Sequence, residues 1–278
     1  MSLLLLVLEL LLVLVSGRTS KVSDGSDFSL SQYTEKGEVA QITYAGRFIS
    51  KCMPAVGFTA ASGRVGILMR AKRKKHPLLA TPSTTISTDH GYALCVVGLD
   101  SDCSRVKRDW QDVVESDLFT FGEVPSLEKL SSRISTFFTR GLYQEEKDDI
   151  TRPLAASVIV IQKPAFLGDA DKDATLRVLY NTGSVVEGVF GALGSISEDP
   201  RTMNKIASLV EQCLEEGDRS KLKVSIGAIY DCLTAHIEEK GLEEAQNIEM
   251  ELAVCCEDGI SYGQGDRVSA LAALTVDI

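Results

Sequence analysis

The spacing of hydrophobic residues predicts that this chain begins its folded part with short strands. Runs rich in β-branched and apolar residues extend over Ala55 to Phe58, Val65 to Met69 and Tyr92 to Val97. Apolar residues then recur at steps of three and four, which predicts two helices, the second after a Ser126 cap. Their apolar positions are Val106, Trp110, Val113, Val114 and Leu118, then Leu127, Leu130, Ile134, Phe137 and Phe138. The pattern is therefore three strands followed by a helix pair.

The same succession returns in the second half of the chain. Strands are predicted at Ser157–Ile161, at Leu176–Tyr180, around Val185–Val189 and, last, at Met250–Cys256. Between the last two lies a second predicted helix pair. Asp199 and Pro200 supply the N-cap and first-turn proline of one helix, which Gly217 ends. The other runs from near Ser220 to Gly241.

This order of elements predicts an α+β protein. A doubly wound parallel sheet needs strict alternation of strands and helices, which the order lacks. At 278 residues with 44% hydrophobic content, the chain can bury a full core, and one large domain is expected. No internal repeat or low-complexity block divides it.

Charge and cysteine usage narrow the function classes. The formal net charge is −10 and the pI is near 4.9, which argues against nucleic acid as a partner because such binders need a basic face. The seven cysteines show no Cys-x-x-Cys spacing. They indicate a reducing compartment and neither a disulfide framework nor a metal site.

The N-terminus points to another compartment. Leu3 to Val15 is almost wholly apolar, and small residues follow at Ser16 and Gly17. A thirteen-residue stretch is too short for a bilayer-spanning helix of about 20 residues. Residues 1–17 therefore read as a signal peptide, or as a non-native extension, because Glu9 interrupts the run and no basic residue precedes it.

The segment from Tyr33 to Ala45 combines a turn with a helix start. It resembles the N-terminal signature of proteasome α-type subunits, in which an aromatic-Ser-Pro-acidic-Gly turn leads into Gln-(Val/Ile)-Glu-Tyr-Ala. The positions that agree, at the family's spacing, are Gly37, Gln41, Ile42, Tyr44 and Ala45. The resemblance covers roughly residues 26 to 258.

Further landmarks follow in the family's order. They are Gly98-Leu99 with Asp102, Arg152-Pro153, Ala192-Leu193-Gly194, and Asn247-Ile248-Glu249 with Leu252-Ala253-Val254. Ser104 stands where the family's first motif usually has arginine. The resemblance implies the N-terminal-nucleophile hydrolase fold over residues 38–278, a four-layer αββα sandwich of two antiparallel sheets flanked by helix pairs. Residues 18–37 would form a tail and a gate-like turn.

The residues that catalysis would need are missing. Catalytic proteasome subunits use an N-terminal threonine that begins the first core strand, and Met53 aligns with that position. The acidic helper aligns near Met69 to Ala71, where there is no carboxylate. His76, His90 and His236 are interpreted as surface residues, since no Gly-x-Ser-x-Gly motif accompanies them. We therefore predict a non-enzyme without catalytic residues, cofactor or metal.

The resemblance instead implies a structural role. Proteasome α-type subunits close a seven-membered ring above the β subunits, and their N-terminal tails gate substrate entry for protein degradation. The gate cluster maps to Asp27, Glu35 and Tyr44, while Ser26 replaces the tail tyrosine. A helix from about Val39 to Lys51 is expected to contact neighbouring subunits. Its contact residues are Gln41, Ile42, Tyr44, Ala45 and Phe48.

The pocket that accepts the C-terminal tails of activators is predicted to be degenerate. In the family a lysine in a Pro-Ser-x-x-Lys-Ile context pairs with the activator's terminal carboxylate. Thr85 stands at that position. A hydroxyl carries no charge, so a charge-assisted contact is lost and regulatory particles should dock poorly on this subunit.

One alternative function stays open, a stand-alone or secreted proteasome-like pseudo-enzyme that acts as a binding or scaffold module. The resemblance implies a cytoplasmic and nuclear location, whereas a genuine leader over residues 1–17 would send the chain to the secretory pathway. A chain delivered there could not meet cytosolic ring partners. The leader therefore discriminates between the two functions.

Overall fold

The computed structural model describes residues 33, 37, 39–74, 86–143, 152–164, 173–215, 219–243, 247–266, 269 and 271. It separates into two units, residues 1–40 and 41–278. In the first unit, Tyr33 and Val39 form an antiparallel bridge. Gly37 lies between them with a φ of 79°, a conformation that glycine adopts without steric cost. The predicted turn therefore has the backbone that its glycine permits.

Five helices and ten strands form in the described residues. In chain order they are α1 (Ala40–Ile49), β1 (Ala55–Ala60), β2 (Val65–Arg73), β3 (Ile86–Asp89), β4 (Tyr92–Gly98), α2 (Asp100–Phe121), α3 (Leu127–Tyr143), β5 (Ala156–Gln162), β6 (Thr175–Leu179), β7 (Val185–Gly188), β8 (Phe190–Leu193), α4 (Pro200–Glu215), α5 (Arg219–Glu239), β9 (Ile248–Cys256) and β10 (Gly259–Gly265). The two helix pairs predicted from periodicity, α2 with α3 and α4 with α5, are both present.

The strands form two five-stranded sheets, each antiparallel throughout. The first sheet has the order β10-β9-β2-β1-β8, and the second has the order β3-β4-β5-β6-β7. The α+β class is thus confirmed, with two antiparallel sheets in place of a parallel one.

Three hydrophobic clusters show how the elements pack. One joins an outward face of the first sheet to α4 and α5, and includes Phe58, Ile206 and Ile226. A second joins the second sheet to α2 and α3. The third lies between the sheets, where Leu68 of one packs in the same cluster as Ile159 of the other. This arrangement is compatible with an α+β sandwich.

Close approach of the sheets depends on a glycine in β1. A Cβ placed on Gly57 would lie 2.7 Å from Ile159 Cγ2 and 3.0 Å from Leu176 Cδ1, both side chains of the opposite sheet. Real side chains do not approach so closely, so a larger residue would push the sheets apart or displace buried side chains. The residue is therefore part of the packing between the sheets.

Helix caps predicted from the sequence are confirmed. Ser126 Oγ accepts a hydrogen bond from Lys129 N at 3.4 Å, and α3 begins at the next residue. Asp199 Oδ1 accepts one from Arg201 N at 3.2 Å, and Pro200 begins α4. Beyond the end of α5, Gly241 takes a φ of 63°. The predicted end of α4 at Gly217 lies outside the described residues.

The strand predictions are incomplete at three places. The strand predicted around Val185–Val189 is present as β7 in the second sheet, but β8, which begins at Phe190 in the first sheet, was not predicted. Strand β9 is not the last one, since β10 pairs with it. Strand β3 was not predicted either. It has four residues and β10 contains three glycines, so neither produces a strong hydrophobic pattern.

Candidate functional site

Helix α1 presents two aromatic side chains to solvent. Tyr44 is 46% exposed and Phe48 is 44% exposed, and the Arg47 guanidinium lies 6.0 Å from the centroid of the Tyr44 ring. On the other side of the helix, Ala45 and Ile49 are buried. The helix thus covers the chain's own core with one face and exposes a second, aromatic face, which we call the α1 aromatic face (Tyr44 and Phe48).

The remaining predicted contact residues of α1 are less exposed. Gln41 and Ile42 are half-buried, and the Ile42 carbonyl lies 3.5 Å from Asn181 Nδ2, which donates to it. Asn181 is the second residue of the tight turn from Tyr180 to Gly183, in which Gly183 has a φ of 84° and its N–H donates to Tyr180 O at 2.8 Å. The turn between β6 and β7 therefore contacts α1 through this hydrogen bond.

The predicted gate and activator positions are mostly beyond what the structure describes. Asp27 and Glu35 of the gate cluster, together with Ser26, lie outside the described residues, as does Thr85 of the activator pocket. Of the gate cluster, only Tyr44 is placed, on α1. The gate and the pocket accordingly stay predictions.

Met53, aligned with the nucleophile of a catalytic relative, lies two residues before β1. Its side chain is partly buried and packs against the cluster beneath α4 and α5. The backbone around it is fixed, because Ser195 N donates to Cys52 O at 2.9 Å. Gly194, with a φ of 81°, lies so close that a Cβ there would be 2.6 Å from Met53 O. The Ala192-Leu193-Gly194 landmark thus holds the start of β1.

The position predicted for an acidic helper contains a buried cation. Arg70 is 9% exposed, and its Nη1 donates to the Val96 carbonyl and lies 3.9 Å from Cys95 Sγ. Val96 and Cys95 belong to the opposite sheet, so the guanidinium bridges the two sheets. Burial raises the pKa of the nearby Cys52 thiol, and Arg70 opposes that shift. Within the described chain this corner has no arrangement for activating a threonine.

Two of the sequence landmarks meet in one ion pair. The Asp102 carboxylate accepts hydrogen bonds from Arg152, Nη1 to Oδ2 at 2.7 Å and Nη2 to Oδ1 at 2.8 Å. It also accepts one from Ala155 N at 2.8 Å. The Asp102 hydrogen bond raises the pKa of Arg152. Asp102 is buried, so this pair fixes the start of α2 against the segment that enters β5.

Gly98 completes this junction between β4 and α2. Its φ is 153°, and a Cβ on it would overlap the carbonyl oxygen of Ala155. That oxygen accepts a hydrogen bond from Leu99 N at 2.8 Å. Only glycine fits such a site. The residues of the Gly-Leu-x-x-Asp and Arg-Pro motifs therefore stabilise the fold at one shared junction.

The interpretation of His236 as a surface residue is wrong. It is 1% exposed, with its Nδ1 3.2 Å from Asp199 Oδ2 and its Nε2 3.1 Å from Ser195 Oγ. A carboxylate only accepts hydrogen bonds, so Nδ1 donates to Asp199, and in the neutral imidazole Nε2 then accepts from the serine hydroxyl. The spacing along α5 could have revealed this burial, because His236 lies three residues after Leu233 and next to Ile237 on the apolar face. His90, by contrast, has an exposed side chain, and His76 lies outside the described residues.

Comparison with protein-family models finds no match, and no curated protein matches the chain. Among the described residues, no group of three or more His, Cys, Asp or Glu side chains is arranged to hold a metal ion. No helix in the described part of the chain is both long and apolar enough to cross a membrane.

Proposed function

We propose that this chain is a non-catalytic α-type subunit of a proteasome core particle, with the four-layer αββα fold of that family. Its work would be assembly, as one member of the outer ring that gates substrate entry to the β subunits. Three features support the proposal: the α1 aromatic face, the packing of the residues that match the family's motifs, and the side chain of Met53, which stands before β1 at the position of the catalytic nucleophile. Each is independent of the others.

The α1 aromatic face carries the proposal. Neighbouring exposed apolar side chains mark interaction sites, and aromatic residues are enriched at the energetic centres of protein interfaces. Tyr44 and Phe48 are about half exposed on a helix whose opposite face is buried. This is the segment with which the resembling family contacts its ring neighbours, so a neighbouring α subunit is the partner that we propose for this face.

The landmarks support the proposal because they cooperate physically. Arg152 lies 50 residues after Asp102 in the sequence, yet it forms one junction with Asp102 and Gly98. Gly194 of another landmark fits against Met53 O. If these motif matches were due to chance, we would not expect them to fall at positions where the structure requires those residue types, sterically or electrostatically.

The chemistry before β1 supports a non-enzymatic role. Met53 has a thioether, which cannot attack a carbonyl carbon, and the carbonyl before it is hydrogen bonded to Ser195 N. Arg70 replaces the expected acid nearby. We therefore assign peptide cleavage to other subunits of the particle, in the cytoplasm and nucleus where that particle works.

The test is native mass measurement of the protein from its own source, combined with variants. We expect the wild-type chain in a particle of several hundred kilodaltons. Tyr44→Ala with Phe48→Ala should reduce incorporation about 10-fold or more, the effect of losing about 1.4 kcal/mol at an interface. Phe119→Ala is the matched control, since Phe119 is 94% exposed at the far end of α2, and it should incorporate normally.

A monomeric wild-type protein would overturn the proposal and favour the alternative, a stand-alone binding or scaffold module. Incorporation that is equally impaired in the control would also contradict the assigned role of α1. For the activator pocket, Thr85→Lys should strengthen binding of an activator C-terminal peptide to the assembled ring, because an ammonium restores a charge-assisted contact. Wild-type binding as strong as that of a lysine-bearing subunit would refute the pocket prediction.

A further inference from the structure

Ser195, His236 and Asp199 form a hydrogen-bonded series that ring assembly does not need. The serine hydroxyl donates to Nε2 of the imidazole over 3.1 Å, and Nδ1–H donates to the Asp199 carboxylate over 3.2 Å. A hydroxyl bonded to a base that a third group orients is the geometric signature of an activated nucleophile. Such constellations are recognised by geometry and roles, whatever the order of the residues in the chain.

The third group is itself held in place. Asp199 Oδ2 also accepts a hydrogen bond from Thr202 Oγ1 at 3.1 Å and lies 3.8 Å from Lys240 Nζ. Its other oxygen caps α4. These contacts hold the carboxylate against Nδ1, so that in the neutral imidazole Nδ1 carries the proton and Nε2 is the nitrogen that can accept one. Asp199 is thus a positioning residue for His236.

The serine is itself buried, next to exposed residues of the same short helix. It is 8% exposed and belongs to a 3₁₀-helix, Gly194–Glu198, in which Ser197 and Glu198 are exposed. The His236 side chain is fully shielded from solvent. Burial of both the base and the hydroxyl restricts this site to a small electrophile and excludes a polypeptide substrate.

We propose that Ser195 is a base-activated nucleophile and a site of covalent modification by small activated acyl or phosphonyl donors. The Ser195 oxygen attacks the carbonyl carbon or phosphorus, the bond to the leaving group breaks, and the hydroxyl proton passes to His236 Nε2 and then to the leaving group. With a fluorophosphonate, an O–P bond forms, the P–F bond breaks and hydrogen fluoride departs. No oxidant or metal is required.

The backbone around Ser195 slows this chemistry. Ser195 N, which in many hydrolases would stabilise the oxyanion, already donates to Cys52 O at 2.9 Å. Loss of one such donor costs about 10²–10³-fold in catalytic rate. We therefore assign a slow reaction of the serine with strongly activated donors, such as the fluorophosphonate, whose adduct is stable. This inference does not depend on ring membership.

The experiment exposes the purified full chain to a small alkyl fluorophosphonate and maps the adduct by peptide mass spectrometry. Ser197 is the internal control, because it belongs to the same short helix and its hydroxyl donates to Gly194 O at 2.8 Å, with no base. A general base contributes about 10²–10⁴-fold, so labelling at Ser195 should exceed that at Ser197 by at least about 10-fold after allowance for its burial. The Ser197→Ala variant should label as the wild type does, and Ser195→Ala should not.

Asp199→Asn tests the positioning residue and keeps the shape of the side chain. Its labelling rate should fall at least about 10-fold while Asp199→Glu restores part of it, since the imidazole then regains an ionised partner. A fluorescence unfolding curve of each variant excludes misfolding as the cause. Absence of a Ser195 adduct on the folded wild type, or an adduct whose rate is the same in the folded Asp199→Asn variant, would overturn the proposal and leave the three residues as a buried clamp.

Discussion

The pair of Asp102 and Arg152 allows a quantitative test of the junction between β4, α2 and β5. The Asp102 side chain is 5% exposed and the Arg152 side chain 48% exposed. Asp102→Ala leaves the buried Ala155 N–H without an acceptor, which costs about 1–3 kcal/mol. The Arg152 guanidinium is half exposed and can be hydrated once its partner is gone, so the loss of the ion pair itself should cost only about 1 kcal/mol. We expect the free energy of unfolding to fall by about 2–4 kcal/mol.

Trp110 supplies the assay. It is the single tryptophan of the chain and is 5% exposed in the cluster beneath α2 and α3, so its fluorescence should change when the protein unfolds in urea. Asp102→Ala, Arg152→Ala and the double variant form a cycle whose interaction energy we expect at about 1–2 kcal/mol. The matched control is the pair of Arg177 and Glu187, which has the same 2.7 Å separation but a Glu187 side chain that is 56% exposed.

The control cycle should give at most about 1 kcal/mol, because exposed ion pairs are screened by water and salt. If the two cycles give equal interaction energies, burial of the Asp102 carboxylate is not what makes its pair strong, and the reasoning fails. The same conclusion follows if Asp102→Ala leaves the unfolding curve unchanged.

Three further predictions follow from single sites. Gly98→Ala should lower the free energy of unfolding, measured by heat or urea, by about 1–3 kcal/mol or more. Gly46→Ala should be tolerated, because no atom lies near the position of its Cβ. Burial raises the pKa of Asp199, but hydrogen bonds from Thr202 and its neighbour outweigh it and lower the pKa overall. The folded pKa therefore lies below the unfolded one, so this contribution to stability is present above about pH 4 and is lost as pH falls through the folded value. Asp199→Asn should flatten that part of the stability profile. Of the seven cysteines only Cys52 is not buried, so an alkylating reagent should modify one thiol in the native protein, faster as pH rises, and all seven after denaturation.

Helices and their ends were predictable because local chemistry determines them. Asp199 before Pro200 and Ser126 before an apolar run are signals that depend only on neighbouring residues. The long strands β5 and β9 were predictable for the same reason, since each contains a continuous apolar run, residues 158–161 in β5 and 252–256 in β9. Strand β10 was not, because Gly259, Gly263 and Gly265 dilute its pattern and only pairing with β9 makes it a strand.

The functional geometry was harder to predict than the elements. Nothing in the local sequence brings His236 to Ser195, because they are 41 residues apart and meet only when α5 packs across the first sheet. The burial of His236 could have been predicted from helical spacing, but its hydrogen-bond partners could not. The junction of Asp102 and Arg152 was foreseen only as two separate motifs, since an ion pair across 50 residues requires the register of β4 with β5.

The segment between α1 and β1 yields a last prediction about processing. An N-terminal nucleophile must be released by cutting the chain before β1, and such a cut needs an accessible, movable peptide bond. Here Cys52 N donates to Ile49 O at 2.9 Å, and Cys52 O accepts from Ser195 N at 2.9 Å. Gly194 also lies so close that a Cβ on it would be 2.6 Å from Met53 O. The bond between Cys52 and Met53 is thus held from both sides, and Met53 offers no hydroxyl to attack it.

We therefore expect intact-mass measurement of the assembled protein to find α1 and β1 in one polypeptide, because α1 is needed at its full length for the proposed ring contact. Replacing Met53 with threonine should not by itself start cleavage, since the hydrogen bonds to Cys52 remain. A mature chain that begins at Met53, in the wild type or in the threonine variant, would show that this segment is processed. That result would remove the reason to assign α1 to assembly, because the helix would then be a discarded leader.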